Sequence, residues 1–183
     1  MAVSPMDAAL SALKSGQVVA YPTEAVWGVG CDPFNHEAFK ALLALKQRPL
    51  EKGVIIVAAN IEQVQPLVAP LSDEQQAQLA ATWPGPNTWI LPDPNDWVPT
   101  WIKGQHAGVA VRVSDHPLVQ ALCTAFGPLV STSANPAGDP PAMSATQVHD
   151  YFPEGLGYVL DGPLGGLDKP TTIRDIQTNK TLR

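Results

Sequence analysis

The chain has 183 residues, of which 45% are hydrophobic and 15% charged, and a formal net charge of −6. This composition is typical of one globular domain with a sizeable core, and the negative charge argues against a protein that acts mainly by neutralising phosphates along a nucleic acid. Cys31 and Cys123 are far apart in the sequence, which argues against a disulfide framework or a zinc site and favours a reducing compartment.

The first residues show no pattern of a targeting signal. Residues 1–16 lack the cationic and long apolar segments of a signal peptide. No apolar run in the sequence approaches the roughly 20 residues that span a bilayer. We therefore expect a cytoplasmic protein that makes no contact with membranes, and we expect it to be a monomer.

Capping residues and apolar runs define the elements of the first half of the chain. Ser4 before Pro5 predicts a helix start, Asn35 predicts a second, and the segment from Ser72 to Gln75 reads as a capping box. Short apolar runs that end at proline or at polar residues predict buried strands. The predicted elements are a helix at 5–15, a strand at 18–21, a helix from Asn35 to Lys46, a strand at 54–58 and a helix at 72–82.

The second half continues the alternation of strands and helices. Residues 83–91 predict a rigid turn that leads into a strand, and residues 92–107 have loop chemistry throughout. A loop this long inside a compact domain is more often a functional flap than a simple connection. Together the elements predict one α/β domain over residues 1–183 around a mixed sheet. The remaining predicted elements are a strand at 109–113, a helix at 117–126, a strand at 129–131, a helix capped by Ser144, a strand at 158–160, a glycine-rich loop at 162–170 and a hairpin at 171–183.

Common nucleotide-binding, metal-binding and hydrolase motifs are missing from the sequence. There is no G-x-x-x-x-G-K-[ST], and 28-GVGCDP-33 lacks the last glycine of a dinucleotide fingerprint. The four histidines show no spacing typical of metal ligands, and 130-VSTSANPAG-138 lacks the G-x-S-x-G of a serine hydrolase. These absences argue against the standard phosphate loops, a histidine metal site and serine hydrolysis.

A short basic segment stands out in this acidic chain, since Lys46, Arg48 and Lys52 lie just before the predicted strand at 54–58. Lys46 alone has a simple structural explanation, because a cation at the end of a helix stabilises its negative pole. Lys52 alone is compatible with a solvated loop charge. Arg48 follows a different pattern, because Pro49 fixes the chain beside it and a guanidinium offers a planar fork for phosphate or carboxylate.

Neutral polar residues follow the predicted strand at 129–131. Ser131, Thr132, Ser133 and Asn135 are expected to direct hydroxyls and an amide toward one place where the strand ends. In open α/β sheets, ligands bind outside the carboxyl ends of strands. Short neutral donors at such an edge suit phosphate oxygens or a ribose.

Five segments stand in a fixed order along the sequence: 21-YPTEAVWGVG-30, 45-LKQRP-49, 83-WPGPNT-88, 109-VAVRVSDHPL-118 and 131-STSANPAG-138. Together they resemble the YrdC-like family, in particular its short bacterial members that make threonylcarbamoyl adenylate. The resemblance covers nearly the whole chain, and it implies a twisted mixed α/β sheet with flanking helices and a concave cavity.

Members of that family convert L-threonine, bicarbonate or CO2, and ATP into threonylcarbamoyl adenylate and pyrophosphate, which serves N6-threonylcarbamoyladenosine formation at position 37 of tRNA. The resemblance implies a nucleotidyltransferase that uses ATP with Mg²⁺, has no metal site of its own, and passes the adenylate to partner proteins of tRNA modification. Weak direct contact with tRNA is compatible with it. Two alternatives remain open: an RNA-binding module of the same fold, and an ATP-dependent carbamoyl transferase that acts on another amine.

The resemblance also implies roles for individual residues. Where many relatives have threonine and asparagine, this chain has Ala25 and Lys52, and a histidine of some relatives is here Val57, so the threonine pocket differs in detail. The implied catalytic residues are Lys46, Arg48, Ser133 and Asn135; the implied ATP-binding residues are Arg48, Lys52, Ser133, Asn135 and Arg183; the implied threonine-binding residues are Thr23, Arg112, Ser131 and Thr171.

Overall fold

In the computed structural model, which describes residues 2–47, 54–169 and 171–182, eight strands form one mixed sheet. Their order across the sheet is β7-β1-β2-β6-β3-β5-β4-β8. The pairs β1–β7, β3–β5 and β4–β8 are parallel, and the other four pairs are antiparallel, which confirms the predicted mixed α/β sheet. The strands are β1 (Val18–Pro22), β2 (Trp27–Cys31), β3 (Ile55–Ala58), β4 (Asn87–Pro92), β5 (Gly108–Val113), β6 (Leu129–Ser133), β7 (Leu156–Val159) and β8 (Thr172–Asp175).

Helices flank the sheet, and their starts follow the predicted caps. Ser4 Oγ accepts a hydrogen bond from the Asp7 amide at 3.1 Å, Asn35 Oδ1 accepts one from Ala38 at 3.1 Å, and Ser72 closes a full capping box. Among the described residues, no helix combines the length and apolar character that a membrane crossing requires. The helices are α1 (Pro5–Lys14), α2 (His36–Lys46), α3 (Gln65–Val68, after a 3₁₀ turn at Ile61–Val64), α4 (Asp73–Thr82), α5 (Thr100–Lys103), α6 (Pro117–Phe126) and α7 (Ala145–Tyr151).

Two apolar clusters hold the helices on the sheet. One joins α1 and α6 to β1 and β3 and includes Leu13, Val57 and Leu122. The other joins α2 to the opposite face of the same strands and to further strands, and it includes Phe39 and Trp89. Each large side chain buried in this way contributes about 1.5–3 kcal/mol, so the sheet is a firm base for the polar residues that it carries. Val57 belongs to this packing and is fully buried.

Strand β2 was not predicted from the sequence, because Gly28 and Gly30 give it little intrinsic strand preference. The structure shows why small residues stand there. The ring of Tyr21 lies over both glycines, and a Cβ atom on Gly30 would come within 2.5 Å of the Tyr21 hydroxyl oxygen. The interior glycines of β2 therefore allow a close approach of an aromatic side chain.

Two further differences from the prediction concern segments that line the cavity. Strand β6 continues through Ser133, so the hydroxyls of Ser131 and Ser133 project from the strand itself, and they do not lie in a loop beyond its end. The segment 92–107 was predicted as loop throughout, but it contains the one-turn helix α5. Both differences arise from pairing and packing with distant parts of the chain, which local sequence patterns do not report.

Candidate active site

A cavity with a volume of about 430 Å³ is lined by residues from β2 to β6, from the strand β8 and from the segment 92–107. This volume lies in the range of sites for small ligands. Its lining combines apolar side chains such as Ile55 and Ile90 with a small set of polar ones. The polar lining residues include Thr23, Lys103, Arg112, Ser131, Ser133 and Thr171.

The structure brings together most of the site residues predicted from the sequence. Five of them line the cavity. Lys46 lies beside it because its Nζ donates to the Ser133 carbonyl oxygen. Asn135 lies beside it because its backbone amide donates to the same carbonyl oxygen. Arg48, Lys52 and Arg183 lie outside the described residues. The cavity is placed over the sheet, although the sequence suggested a position beyond the carboxyl ends of the strands. The five lining residues are Thr23, Arg112, Ser131, Ser133 and Thr171.

Arg112, on β5, forms the centre of one end of the cavity, which we call the Arg112 end and define as Arg112, Thr171, Ser131 and Thr23. Its Nη1 donates hydrogen bonds to Thr88 Oγ1 at 3.2 Å and to Thr171 Oγ1 at 3.1 Å. Only 5% of Arg112 is exposed. These two bonds use both hydrogens of Nη1, so Nη2 is the terminal nitrogen left to donate to the carboxylate of a ligand.

Ser131 is oriented by the buried side chain of Tyr21. The two hydroxyl oxygens are 2.9 Å apart, with Tyr21 as the donor. A phenol is the stronger donor of the two, so Ser131 Oγ accepts here and keeps its own hydrogen for a second partner. Burial raises the pKa of Tyr21 far above its ordinary value, so the phenol stays protonated. Tyr21 was not named as a site residue from the sequence, although it opens the 21-YPTEAVWGVG-30 segment.

Thr23 lies in a tight turn that is fixed by backbone contacts. Its Oγ1 donates to the carbonyl of Val26 at 2.6 Å, and its own carbonyl accepts from Gly165 at 3.0 Å. A Cβ atom on Gly165 would come within 2.8 Å of the Cα atom of Glu24. The glycine-rich loop therefore packs directly on this turn and holds it against the cavity.

Lys46 and Ser133 form a second group, which we call the Lys46 end and define as Lys46, Ser133 and Asn135. Lys46 is the last residue of α2 and only 3% exposed. Its Nζ donates to the Ser133 carbonyl oxygen, and Ser133 Oγ lies 3.5 Å away. The capping explanation for Lys46 is therefore incomplete, because its ammonium is directed at the strand that lines the cavity.

Asn135 adds an unpaired acceptor to the Lys46 end. Its Nδ2 donates to the carbonyl of Pro136 at 2.9 Å, and its Oδ1 is buried with no hydrogen-bond donor among the described residues. Leaving a buried acceptor unpaired costs about 1–3 kcal/mol. Such an atom is a natural position for a donor group of a ligand.

The two ends are separated along the sheet. Arg112 pairs with Val57, and Val57 pairs with Leu129, so Arg112 lies two strands from β6 and four residues along it from Ser133. At the usual strand spacing and rise, this places the two Cα atoms roughly 16 Å apart. Ser131 lies between them, in the row that joins it to Ile55. The cavity thus has room for two different groups that meet near its middle.

The segment 92–107 lines part of the cavity and is held by a buried carboxylate. Asp93 accepts from the amides of Trp97 and Val98, both at 2.9 Å, and pairs with Lys103 at 3.0 Å. Burial alone would raise the pKa of Asp93, but these two amides and Lys103 together lower it below its ordinary value. Burial alone would lower the pKa of Lys103, but Asp96 and Asp93 together raise it. Lys103 lines the cavity, so this network fixes one wall of the cavity, within the segment that the sequence predicts to be a flap.

We expect Asp93→Asn to lower the free energy of unfolding by about 1.5–3 kcal/mol at pH 7, because hydrogen bonds to a charged group are lost. A lowered folded-state pKa stabilises the fold above the ordinary pKa near 4, and this contribution disappears as the pH falls through the folded-state value. The difference between wild type and variant should therefore shrink below about pH 4. Urea unfolding at several pH values measures it.

The matched control is Asp96→Asn. Asp96 also contacts Lys103, at 2.9 Å, but its side chain is 85% exposed, so its loss should cost less than about 1 kcal/mol. Equal losses in the two variants would show that burial of Asp93 does not hold the flap.

Neither cysteine is activated as a nucleophile, since both are buried. Burial raises the pKa of the Cys31 thiol to about 12 and that of Cys123 to about 12, so neither forms a thiolate near neutral pH. Among the residues that the structure describes, no group of three or more His, Cys, Asp or Glu side chains is arranged to hold a metal ion. The described side chains that line or adjoin the cavity include cations, hydroxyls and an amide.

The fold and the site define an α/β protein whose cavity presents a guanidinium at one end and an ammonium near the other. The profile of the Sua5/YciO/YrdC family, described as telomere recombination, matches residues 11–183. The chain belongs to this family.

Similar proteins agree over nearly the full length. The chain is 56% identical to a threonylcarbamoyl-AMP synthase of Marinobacter nauticus, over 92% of this chain and 90% of that one. It is 55% identical to a threonylcarbamoyl-AMP synthase of Pseudomonas paraeruginosa, over 93% of this chain and 92% of that one. Each match leaves out less than a tenth of this chain.

Solved structures show the same fold. P. abyssi Sua5 complexed with L-threonine matches with a TM-score of 0.88 and 29% identity, over 99% of this chain and 54% of that one. The chain thus spans about half the length of that protein. E. coli YciO matches with a TM-score of 0.82 and 24% identity, over 97% of this chain and 87% of that one, which is a likeness of fold alone.

Proposed function

We propose that this protein is a threonylcarbamoyl-AMP synthase, a nucleotidyltransferase that forms L-threonylcarbamoyl adenylate and pyrophosphate from L-threonine, bicarbonate or CO2, and ATP. The observation that carries the proposal is the cavity, in which a buried, oriented Arg112 and a cationic Lys46 end are joined by the hydroxyls of β6. Relatives at 56% and 55% identity with this activity in their names support it.

The proposed binding mode places threonine at the Arg112 end. The guanidinium of Arg112 pairs with the α-carboxylate, and the hydroxyls of Ser131 and Thr171 face the threonine side chain. ATP occupies the Lys46 end, where Lys46, Ser133 and Asn135 contact phosphate or ribose, together with Arg48, Lys52 and Arg183 as ATP-binding residues. This assignment uses the cations near the anionic phosphates and the buried donors near the smaller substrate.

The proposed reaction has two steps. The neutral threonine amine attacks CO2 with loss of a proton, or bicarbonate with loss of water, to give a carbamate. The carboxylate oxygen of the carbamate then attacks the α-phosphorus of ATP and displaces pyrophosphate. Both partners of the second step are anions, so catalysis requires fixed positive charge, exclusion of water and positioning, which can contribute about 7–11 kcal/mol. Lys46 and Arg48 supply the charge, and the flap that carries Lys103 limits the access of water.

We further propose that Mg²⁺ enters with ATP. Mg²⁺ is usually held by substrate phosphates and water with one or two protein carboxylates at most, and bound in this way it would neutralise charge on the leaving pyrophosphate. The adenylate is expected to pass to partner proteins that form N6-threonylcarbamoyladenosine at position 37 of tRNA. Direct contact with tRNA would be weak, because the chain carries a net charge of −6.

The proposal predicts the order of substrate preference. Incubated with ATP, Mg²⁺, bicarbonate and one amino acid, the protein should release pyrophosphate fastest with threonine, then with serine, then with valine. Serine lacks one methyl group, which lowers kcat/KM about 10- to 200-fold, whereas valine lacks the hydroxyl and leaves buried donors unpaired, which lowers it by ~10⁴ or more. Pyrophosphate release and mass spectrometry of the adenylate provide the measurement.

The same assay separates the two alternatives. A carbamoyl transferase for another amine would form an adenylate with a different amine and not with threonine. An RNA-binding module would form no adenylate with any of them. Equal rates with valine and serine would show that the pocket recognises shape only, and the hydroxyl contacts at Ser131 and Thr171 would then be wrong.

A further inference from the structure

Arg112 has a buried acidic partner, Glu24, which the sequence analysis did not single out. Glu24 Oε2 lies 3.2 Å from Arg112 Nε, and both side chains are less than a tenth exposed. The two atoms are sealed from solvent, and their contact is an ion pair without good hydrogen-bond geometry. The charge of the guanidinium is therefore balanced inside the protein before any ligand arrives.

Glu24 is itself firmly held. Its Oε1 accepts from Ser114 Oγ at 3.0 Å, and Ser114 Oγ accepts from the His116 amide at 3.1 Å. The Glu24 carbonyl accepts from Leu167 at 3.0 Å. The carboxylate thus cannot turn away from Arg112 without breaking contacts on its other side.

A fixed carboxylate at this place treats different anions differently. Threonine is a zwitterion, so the repulsion between Glu24 and its carboxylate is offset by attraction to its ammonium. A dianion or a triphosphate has no such offset, and the repulsion grows with its charge. Burial strengthens both effects, because water screens them poorly there.

We propose that Glu24 is a specificity-determining counter-ion of Arg112 that excludes polyanions from the Arg112 end, an inference that rests on the proposed function for the identity of the two substrates. The triphosphate is thereby directed to the Lys46 end, and only the amino acid binds at the Arg112 end. The function of Glu24 is then to separate two anionic substrates that share one cavity.

The test uses Glu24→Gln, which keeps the size of the side chain and removes its charge, with sulfate as the polyanion. Threonine binding is measured by calorimetry without ATP, in sulfate and in chloride at equal ionic strength. In wild type, sulfate should weaken threonine binding less than about twofold. In Glu24→Gln it should weaken it by at least about tenfold, because Arg112 is then an uncompensated cation.

Two control variants separate charge from other effects. Glu62→Gln makes the same change of net charge at an exposed position of the 3₁₀ turn, and it should behave as wild type. Ser114→Ala removes the hydrogen bond to Glu24 and keeps both charges, so it should also exclude sulfate. Sulfate competition in Ser114→Ala equal to that in Glu24→Gln would overturn the charge-based inference.

A second readout does not depend on the proposed function, and its wild-type arm does not depend on the folding of a variant. The ¹⁵N–¹H signal of Arg112 Nε is followed by NMR during a sulfate titration. It should stay unchanged in wild type and shift in Glu24→Gln. A shift in wild type that saturates with sulfate would overturn the inference. Absence of threonine binding in wild type would contradict the proposed function, and the NMR titration would still decide the role of Glu24.

Discussion

Lys46→Ala should lower kcat for pyrophosphate release by about 10²- to 10³-fold, the usual effect of removing one donor that stabilises developing negative charge. The reason lies in the position of the ammonium, which is buried at the end of α2 and directed at Ser133 beside the cavity. Alanine is the best helix former, so α2 should persist. Steady-state kinetics with saturating threonine, together with a thermal melt, measure the effect.

Lys40→Ala is the matched control for this prediction. Lys40 lies on the same helix, its side chain is 57% exposed, and its contact with Glu37 is a surface ion pair at 3.4 Å. Its loss should change turnover by less than about twofold and stability by less than about 1 kcal/mol. If Lys46→Ala also turned over at the wild-type rate, Lys46 would be a helix-end cation with no part in the reaction.

Arg112→Lys should raise KM for threonine by about 10- to 100-fold, because one charge-assisted hydrogen bond to the carboxylate, worth about 1.5–3 kcal/mol, is lost. Lysine keeps the charge but lacks the planar fork, and one ammonium cannot reproduce the contacts with Thr88, Thr171 and Glu24 while also binding substrate. KM for ATP should change by less than about twofold, since ATP is assigned to the other end. Initial rates at varied threonine and varied ATP separate the two effects.

Arg174→Lys is the control for the exchange of arginine by lysine. Arg174 lies over the ring of Trp89 at 4.4 Å and does not line the cavity. Its replacement should lower stability by about 0.5–2 kcal/mol through the weaker cation–π contact and leave both KM values unchanged. A rise of KM for ATP that matched the rise for threonine in Arg112→Lys would place Arg112 in contact with both substrates and contradict the two-ended site.

Local chemistry in the sequence was sufficient for the starts of α1, α2 and α4 and for the type of most elements. Ser4, Asn35 and Ser72 each bond to an amide three residues later, so the signal and its effect lie in the same short window. Strands β1, β3 and β5 coincide with short apolar runs of the sequence. This signal is also local, because a strand buried on both faces has few polar positions. The order of these elements was sufficient to predict a mixed α/β sheet.

The candidate site was predictable to the extent that its residues lie in recognisable segments. Ser131 and Ser133 were named because neutral polar residues follow a predicted strand, and Arg112 was named because the order of five segments resembles one family. The structure brings all three to one cavity. Their orientation was not available from those segments. Only the folded chain shows that Ser131 accepts from Tyr21, or that the Lys46 ammonium faces β6.

The tertiary structure alone decided the partners. Tyr21 and Ser131 are 110 positions apart, and Glu24 and Ser114 are 90 apart, and no short-range pattern encodes which buried donor meets which acceptor over such distances. The same holds for the glycines of β2, whose small size is explained by the ring of Tyr21 and by the backbone of β6 beside them. Sequence patterns therefore determined the elements and the chemical types of the site residues, whereas burial and long-range pairing determined which charges are compensated and which face the cavity.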